Sequence, residues 1–291
     1  MGELKGTMTA IVTPFDRTGA LDIGPLDSYL QFQKAGGIDG LVVCGTNGEG
    51  PSLNVAERKR YLEAVVERRD AFTIIAGTGA NNLPDTIELT RHAGTCGVDA
   101  VLVLPPFFFK NPSAQGVAAF FRRVLDASDV PVLLYSIPQQ TAVPITDDIL
   151  ALLAGHPRLA GLKDSEGRWD RTHALLAGRP DLITFPGSDD LLGRATLAGA
   201  AGSISGTANS FPELVSAVRH AALSGGDVEA AQARLDLAKS IVLHYPLIAA
   251  NKSVLAHRGV GRMYVRPPLV ELPQALENEL VARLKSADLL D

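Results

Sequence analysis

The chain has 291 residues, of which 46% are hydrophobic and 20% charged, enough to bury a large core in one or two domains. Its formal net charge of −5 argues against a nucleic-acid-binding protein, which usually carries a basic surplus. We find no apolar run near the roughly 20 residues of a membrane span and no signal-peptide or myristoylation pattern at the start of the sequence. We therefore expect a cytoplasmic protein whose partners are neither nucleic acids nor membranes.

The cysteines and histidines indicate no metal or disulfide chemistry. Cys44 and Cys96 are too few for a disulfide framework, so we expect reduced, buried thiols. No two of the six histidines have a metal-ligand spacing such as His-Glu-x-x-His, although a carboxylate metal site stays open. We expect no metal and no cofactor.

Short β-rich runs bounded by Gly or Pro alternate with helical patterns along the chain. The eight predicted strands are Thr9–Thr13, Gly40–Cys44, Thr73–Ala76, Ala100–Leu104, Pro131–Tyr135, Leu159–Lys163, Leu182–Phe185 and Gly202–Ser205. The helical patterns between them include Val55–Arg69, Asp85–Thr95, Gly116–Ala127 and Asp147–Leu153. After about residue 210 only helical patterns follow, namely Glu213–Ser224, Val228–His244 and Pro273–Lys285.

Two helix starts carry a capping signal. Asn54 with Glu57, and Ser210 with Glu213, have the spacing of capping boxes, and Pro212 would lie in the first turn of the second helix.

The strands are almost continuously apolar, as a parallel sheet covered on both faces requires. Eight strand–helix units fit an α/β fold of the (β/α)8 TIM-barrel type better than an open sheet. The glycines of Gly45–Gly50 follow the second strand with the wrong spacing for a dinucleotide-binding fingerprint. We predict a catalytic barrel over residues 1–212 and a helical domain over residues 213–291.

Reactive groups of such a barrel lie where strands end and loops begin. Lys163 ends an apolar strand, where a neutral amine could attack a carbonyl and form a Schiff base. The alternative is a lysine paired with Asp164 or Glu166. Tyr135 ends the neighbouring strand and could shuttle protons to the amine, or be a packed core aromatic.

The loop after the second strand suits a carboxylate. Gly45–Gly50 offers backbone N–H groups, and Thr46 and Asn47 add a hydroxyl and an amide. We expect Glu49 to tie down the loop backbone. The alternative is an ordinary tight turn.

Five segments, in order, resemble motifs of the dihydrodipicolinate synthase/N-acetylneuraminate lyase family over about residues 7 to 215. They are Gly45–Arg58, Ala76–Ala80, Tyr135–Pro138, Gly161–Gly167 and Gly202–Asn209. The resemblance implies a cofactor-free class I pyruvate-type aldolase on a (β/α)8 barrel with a helical C-terminal domain. It also suggests a homotetramer built as a dimer of dimers.

The resemblance assigns roles at the 2-oxo acid. It makes Lys163 the Schiff-base lysine and Tyr135 the proton shuttle. Thr46 and Asn47 would hold the carboxylate of the 2-oxo acid, and the backbone at Ile204 would face the pyruvate moiety.

At the aldehyde end the sequence departs from the synthases of the family. Gly187, Ser188 and Asp189 occupy the place where the sugar-acid lyases of the family bind hydroxyl groups. Dihydrodipicolinate synthases carry an arginine where this chain has Gln140, and a tyrosine lent by a neighbouring subunit where it has Phe107–Phe109.

We therefore expect a Schiff-base lyase acting on pyruvate and a hydroxylated aldehyde, such as that of a 2-keto-3-deoxy sugar acid, 4-hydroxy-2-oxoglutarate or a sialic acid. A 4-hydroxy-tetrahydrodipicolinate synthase and a dehydratase on the same adduct are alternatives. A non-catalytic 2-oxo-acid-binding barrel is the alternative from another class.

Overall fold

The apolar runs form a barrel of parallel strands. The computed structural model describes residues 4–291. Its strands are β1 (Gly6–Ala10), β2 (Gly40–Val43), β3 (Thr73–Gly77), β4 (Ala100–Val103), β5 (Val132–Ser136), β6 (Leu159–Asp164), β7 (Ile183–Pro186) and β8 (Gly202–Ser205). Consecutive strands pair in parallel from β1 to β7, β1 also pairs with β8, and β7 lies beside β8, so the barrel is nearly closed. The predicted fold class is confirmed.

Helices cover the outside of the barrel and continue after it. In the part of the chain that the structure describes they are α1 (Leu26–Ala35), α2 (Val55–Val66), α3 (Leu83–Thr95), α4 (Ala114–Asp126), α5 (Pro138–Thr141), α6 (Asp147–Leu153), α7 (Trp169–Gly178), α8 (Leu192–Leu197), α9 (Pro212–Ser224), α10 (Val228–Val242), α11 (Leu247–His257) and α12 (Gln274–Ser286). No helix within residues 4–291 is long and apolar enough to cross a membrane.

The first strand begins earlier than predicted. β1 pairs through Met8 with Gly40 and Ile204, so residues 6–10 rather than 9–13 lie in the sheet. Thr13 has already left it, and its hydroxyl donates to the carbonyl of Gly48 at 2.6 Å. β-branched residues thus continue past the strand because Ile11 and Val12 pack in the apolar cluster that includes Leu26 and Tyr29 of α1.

The helical pattern missed α1, α5, α7, α8 and α11. In α11 every residue from Ala249 to Leu255 is buried, so the helix has no polar face and no amphipathic period to detect.

One of the two capping boxes forms. Asn54 and Glu57 cap α2 reciprocally, as predicted. The prediction for Ser210 and Glu213 is wrong, since α9 begins after Phe211 without a side-chain cap. Both side chains instead turn toward α11: Ser210 donates to Asn251 at 2.8 Å, and Glu213 accepts from the guanidinium of Arg258 at 2.7 Å.

The fold has three apolar layers. One fills the barrel interior around Met8 and Phe185, and a second lies between the strands and the helices. The third joins Phe211 to α10, α11 and α12. Val215 and Val218 of α9 pack in the second layer, so α9 covers the barrel as its eighth helix, and the division at residue 212 stays a prediction.

Both cysteines are free, as expected. Cys44 is buried, and burial raises the pKa of its thiol to about 11. Cys96 is only half-buried, so the expectation of a buried thiol is wrong there. The ligand atoms of Glu63, His92 and Cys96 lie within 4.8 Å of one another across α2 and α3, where His92 contacts Glu63 at 3.0 Å.

Candidate active site

Lys163 and Tyr135 lie side by side at the mouth of the barrel. β5 and β6 pair in a register that sets Tyr135 opposite Lys163, and both side chains are buried. The Lys163 ammonium lies 4.4 Å from the centroid of the Tyr135 ring. The Tyr135 hydroxyl lies 3.4 Å from that of Thr46, which reaches it from the loop after β2. The fold thus brings the predicted amine, phenol and loop hydroxyl together.

The carboxylates that follow Lys163 are bound elsewhere. Arg171 contacts Glu166 at 2.8 Å and Asp164 at 3.5 Å, and Asp164 also accepts from the hydroxyl of Thr172 at 2.8 Å. Within residues 4–291, no carboxylate lies within 4.0 Å of the Lys163 ammonium. The alternative of a lysine paired with Asp164 or Glu166 is therefore wrong.

The electrostatics of the site favour an acidic phenol. Burial alone would raise the pKa of Tyr135, but the positive charge of Lys163 and hydrogen bonds with Thr46, Ser165 and Lys163 outweigh it and place that pKa below the ordinary value of 10.0. A phenol shifted in this direction gives up and takes back a proton more readily near neutral pH.

The loop after β2 is a tight turn, and its Glu49 binds a residue far along the chain. The N–H of Gly50 donates to the carbonyl of Gly45 at 3.1 Å, and a side chain at Gly50 would meet the carbonyl oxygen of Cys44. Glu49 does bind a backbone N–H, as expected, but that of Arg266, at 3.0 Å. The buried side-chain oxygen of Asn47 has no protein partner among the described residues, which leaves it free to bind a ligand.

These residues share a cavity of about 600 Å³ at the carboxyl ends of the strands. The sequence-predicted residues that line it are Thr46, Asn47, Tyr135, Lys163, Gly187, Ser188, Asp189 and Ile204. All eight predicted site residues therefore converge on one cavity.

Gly187 has a packing role beside the lysine. A Cβ there would lie 1.9 Å from the hydroxyl oxygen of Ser165 and 2.9 Å from Cε of Lys163. Its N–H donates to the carbonyl of Asp164 at 2.7 Å. The absence of a side chain at Gly187 thus leaves room for Ser165 and Lys163.

A second cavity of about 500 Å³ adjoins the first. The two share Thr46, Tyr135, Ile137 and Gln140, and the second also contains Phe107 and Arg58. Arg58 is buried, and its guanidinium donates to the carbonyls of Gly77 and Gly79.

Comparisons with known proteins show the family of this chain. Residues 3–287 match the model of the dihydrodipicolinate synthetase family. The chain belongs to this family. It is 44% identical to an uncharacterized DapA-like lyase of Chloroflexus aurantiacus, covering 99% of this chain and 97% of that protein. It is 33% identical to the 4-hydroxy-tetrahydrodipicolinate synthase of Polynucleobacter asymbioticus, covering 99% and 96%.

A solved structure of a family member resembles this fold over nearly the whole chain. The crystal structure of dihydrodipicolinate synthase from Acinetobacter baumannii in complex with pyruvate is 28% identical and superposes with a TM-score of 0.92, covering 99% of this chain and 100% of that one. Members of the dihydrodipicolinate synthetase family are class I pyruvate-dependent lyases, and this chain is a lyase of that class. The alternative of a non-catalytic barrel is therefore wrong.

Sequence reasoning missed two parts of the cavity wall. Ser165 lies two residues after Lys163, a spacing that puts both side chains on one side of an extended chain and could have found it. Lys239 and an apolar group from residues 243–270 come from the helices after the barrel and the segment between α11 and α12, and no signal in the sequence connects them to Lys163.

Proposed function

We propose that this lyase cleaves 4-hydroxy-2-oxo acids into pyruvate and a hydroxylated aldehyde through a Schiff base on Lys163. The juxtaposition of a buried, carboxylate-free lysine with the Tyr135 phenol in one open cavity carries the proposal. A pyruvate complex of a family member at 28% identity supports it.

The first step attaches the substrate. The Lys163 amine attacks the C2 carbonyl, the oxygen leaves as water, and an iminium forms. Thr46 and Asn47 offer a hydroxyl and an amide to the substrate carboxylate, and the backbone at Ile204, which also lines the cavity, faces the pyruvate moiety.

The second step breaks the C3–C4 bond. The bonding electron pair moves to the iminium and gives an enamine. Tyr135, which is the phenolate after giving its proton to the departing water, takes the C4 hydroxyl proton, and C4 becomes the aldehyde. The enamine carbon then takes a proton, and water hydrolyses the imine to release pyruvate and free Lys163. Dehydration of the same adduct would instead remove a C3 proton and expel the C4 hydroxyl as water.

Trapping tests the mechanism directly. Incubation with pyruvate and borohydride should reduce the imine to a stable adduct on Lys163, found by mass spectrometry of peptides. Lys239→Ala, which removes the other lysine lining the cavity, is the matched control and should retain the adduct. An adduct on another lysine, or none, would overturn the mechanism.

A second candidate, 4-hydroxy-tetrahydrodipicolinate synthase, is favoured by the 33% identical relative of that name. Its aldehyde, aspartate semialdehyde, carries a carboxylate that needs a counter-charge, and Gln140 offers none. Loss of a charge-assisted bidentate contact costs about 1.5–3 kcal/mol, or roughly 10–150-fold in specificity. Parallel steady-state kinetics with each aldehyde decides between them, and the highest kcat/KM for aspartate semialdehyde would favour the synthase.

We further propose a cytoplasmic homotetramer, a dimer of dimers. Phe108 and Phe109 are 72% and 73% exposed, and burial against a second copy would remove this apolar surface from water. Light scattering should show a mass of four chains, and Phe108→Ser with Phe109→Ser should lower it. A monomer at every concentration would contradict the proposal.

A further inference from the structure

The cavity that holds Lys163 has two unlike walls. The barrel side is polar, with the side chains of Thr46, Ser188 and Asp189. The opposite side comes from the part of the chain after the barrel and is almost wholly aliphatic. It includes Leu243, which follows α10, Leu247, which begins α11, and Leu269 and Val270, which lie between α11 and α12. A ligand that fills this cavity therefore faces polar groups on one side and apolar groups on the other.

The apolar wall is open toward the cavity mouth. Leu243 is 51% exposed, Leu269 38% and Val270 71%, although all three line the same cavity as Lys163. Aliphatic side chains offer no hydrogen-bond partner, so distal hydroxyl groups placed against them would lose water without replacement. An apolar group would instead remove these side chains from water.

The charges around the cavity oppose an anionic end. The iminium charge on Lys163 lies at C2, beside the carboxylate of the 2-oxo acid, and Lys239 is paired with Asp190 at 2.6 Å. Asp189 is buried and also lines the cavity. Among the described residues that line this cavity, no further lysine and no arginine is present. A second carboxylate or a phosphate would therefore face a carboxylate without a free counter-charge.

We propose that the aldehyde partner carries its hydroxyl near the carbonyl and ends in an apolar substituent that packs on Leu243, Leu247, Leu269 and Val270. This inference rests on the proposed Schiff-base function and narrows its substrate class. Ser188 and Asp189 bind the hydroxyl, and the aliphatic wall selects against polyhydroxylated and carboxylated tails.

A series of 2-hydroxyaldehydes that differ at the far end tests the inference. We choose 2-hydroxypentanal, erythrose and 4-hydroxy-5-oxopentanoate, whose tails are alkyl, hydroxylated and carboxylated, each with pyruvate. We expect kcat/KM for 2-hydroxypentanal to exceed the other two by at least about tenfold, since one methylene in an apolar pocket is worth roughly 10–200-fold. An equal or greater value for erythrose or the carboxylated aldehyde would overturn the inference.

Variants of the apolar wall test whether it causes the preference for the alkyl-tailed aldehyde. Leu243→Ser combined with Val270→Ser should lower the ratio of kcat/KM for 2-hydroxypentanal over erythrose about tenfold. Leu223→Ser, at an equally exposed leucine of α9 that does not line the cavity, should keep the ratio. An unchanged ratio in the double variant would overturn the inference, and a lower oligomeric mass of that variant by light scattering would then point to a second copy as the occupant of the wall.

Borohydride trapping distinguishes a failure of the substrate inference from a failure of the proposed Schiff-base mechanism. If pyruvate is trapped on Lys163 but the aldehyde series shows no preference for the alkyl tail, only the substrate inference fails. If no adduct forms on Lys163, the proposed function fails first.

Discussion

Lys252 of α11 and Glu49 of the loop after β2 form a buried ion pair, with Nζ 2.5 Å from Oε1 and side chains 1% and 0% exposed. The Lys252 ammonium also donates to the carbonyl of Tyr264 at 2.6 Å. Burial lowers the pKa of Lys252, and the charge of Glu49 opposes that shift. Because Glu49 has a left-handed backbone (φ 51°), the pair holds a strained turn next to Thr46 and Asn47.

We expect Lys252→Met to weaken both stability and binding of the 2-oxo acid. Removing one partner of a buried pair leaves an uncompensated charge and costs about 3–5 kcal/mol of unfolding free energy, measured in urea. Release of the turn should raise KM for pyruvate more than it lowers kcat, because the loop offers binding groups rather than reacting ones.

Lys34→Met is the control, since Lys34 pairs with Asp70 at the surface and such pairs contribute about 0–1 kcal/mol. Adding Glu49→Gln to Lys252→Met should recover part of the lost stability. Equal losses in Lys252→Met and Lys34→Met would contradict the anchoring role.

Tyr135→Phe should lower turnover by roughly 10²–10⁴-fold, the usual contribution of a general acid–base group. Since the pKa of Tyr135 lies below 10.0, the wild-type pH–rate profile should show a limb below that pH which the Phe variant lacks. Tyr245→Phe, whose hydroxyl binds Glu279 away from the cavity, should keep both rate and profile. Near wild-type turnover in Tyr135→Phe would show that another group carries the proton.

The sequence is sufficient to predict the barrel and the proximity of Lys163 and Tyr135 because both depend on local signals. Apolar runs at regular spacing predict the strands, and Lys163 and Tyr135 are polar residues at strand ends. The ion pair of Glu49 was not predictable, since its partner lies 203 residues away on a helix buried on nearly every side. The apolar wall was missed for the same reason: helix packing, not a motif, brings Leu243 and Leu247 to the cavity.

Glu57→Gln should remove a pH-dependent part of the stability. Hydrogen bonds from Arg266, at 2.7 and 2.9 Å, are the main reason that the pKa of Glu57 lies below its ordinary value of 4.5. A depressed carboxylate pKa stabilises the fold above the unfolded-state value, and this contribution disappears as pH falls through the folded-state value.

Urea unfolding at about pH 6 and about pH 3 measures this effect. The wild type should be more stable than Glu57→Gln at the higher pH, and the difference should shrink at the lower one. Glu67→Gln, at a side chain that is 74% exposed, should show little difference at either pH. A constant gap between wild type and Glu57→Gln would contradict the assignment.

Gly187→Ala should slow Schiff-base formation without altering the rest of the barrel. The new Cβ would meet the Ser165 hydroxyl at 1.9 Å and Lys163 Cε at 2.9 Å, so both side chains must move. A displacement of about 1 Å in a reacting group can cost on the order of 10²-fold, and we expect a loss of that size in the rate of borohydride trapping with pyruvate.

Two further variants test whether the loss of trapping rate comes from the contact of the new Cβ with Ser165 and Lys163. Gly178→Ala is the matched control, because a Cβ there meets nothing within 4 Å, and it should trap pyruvate at the wild-type rate. Adding Ser165→Gly to Gly187→Ala removes the closer of the two obstacles and should recover part of the rate. A Gly187→Ala protein that traps pyruvate as fast as the wild type would show that Lys163 reacts from a position other than the one beside Gly187.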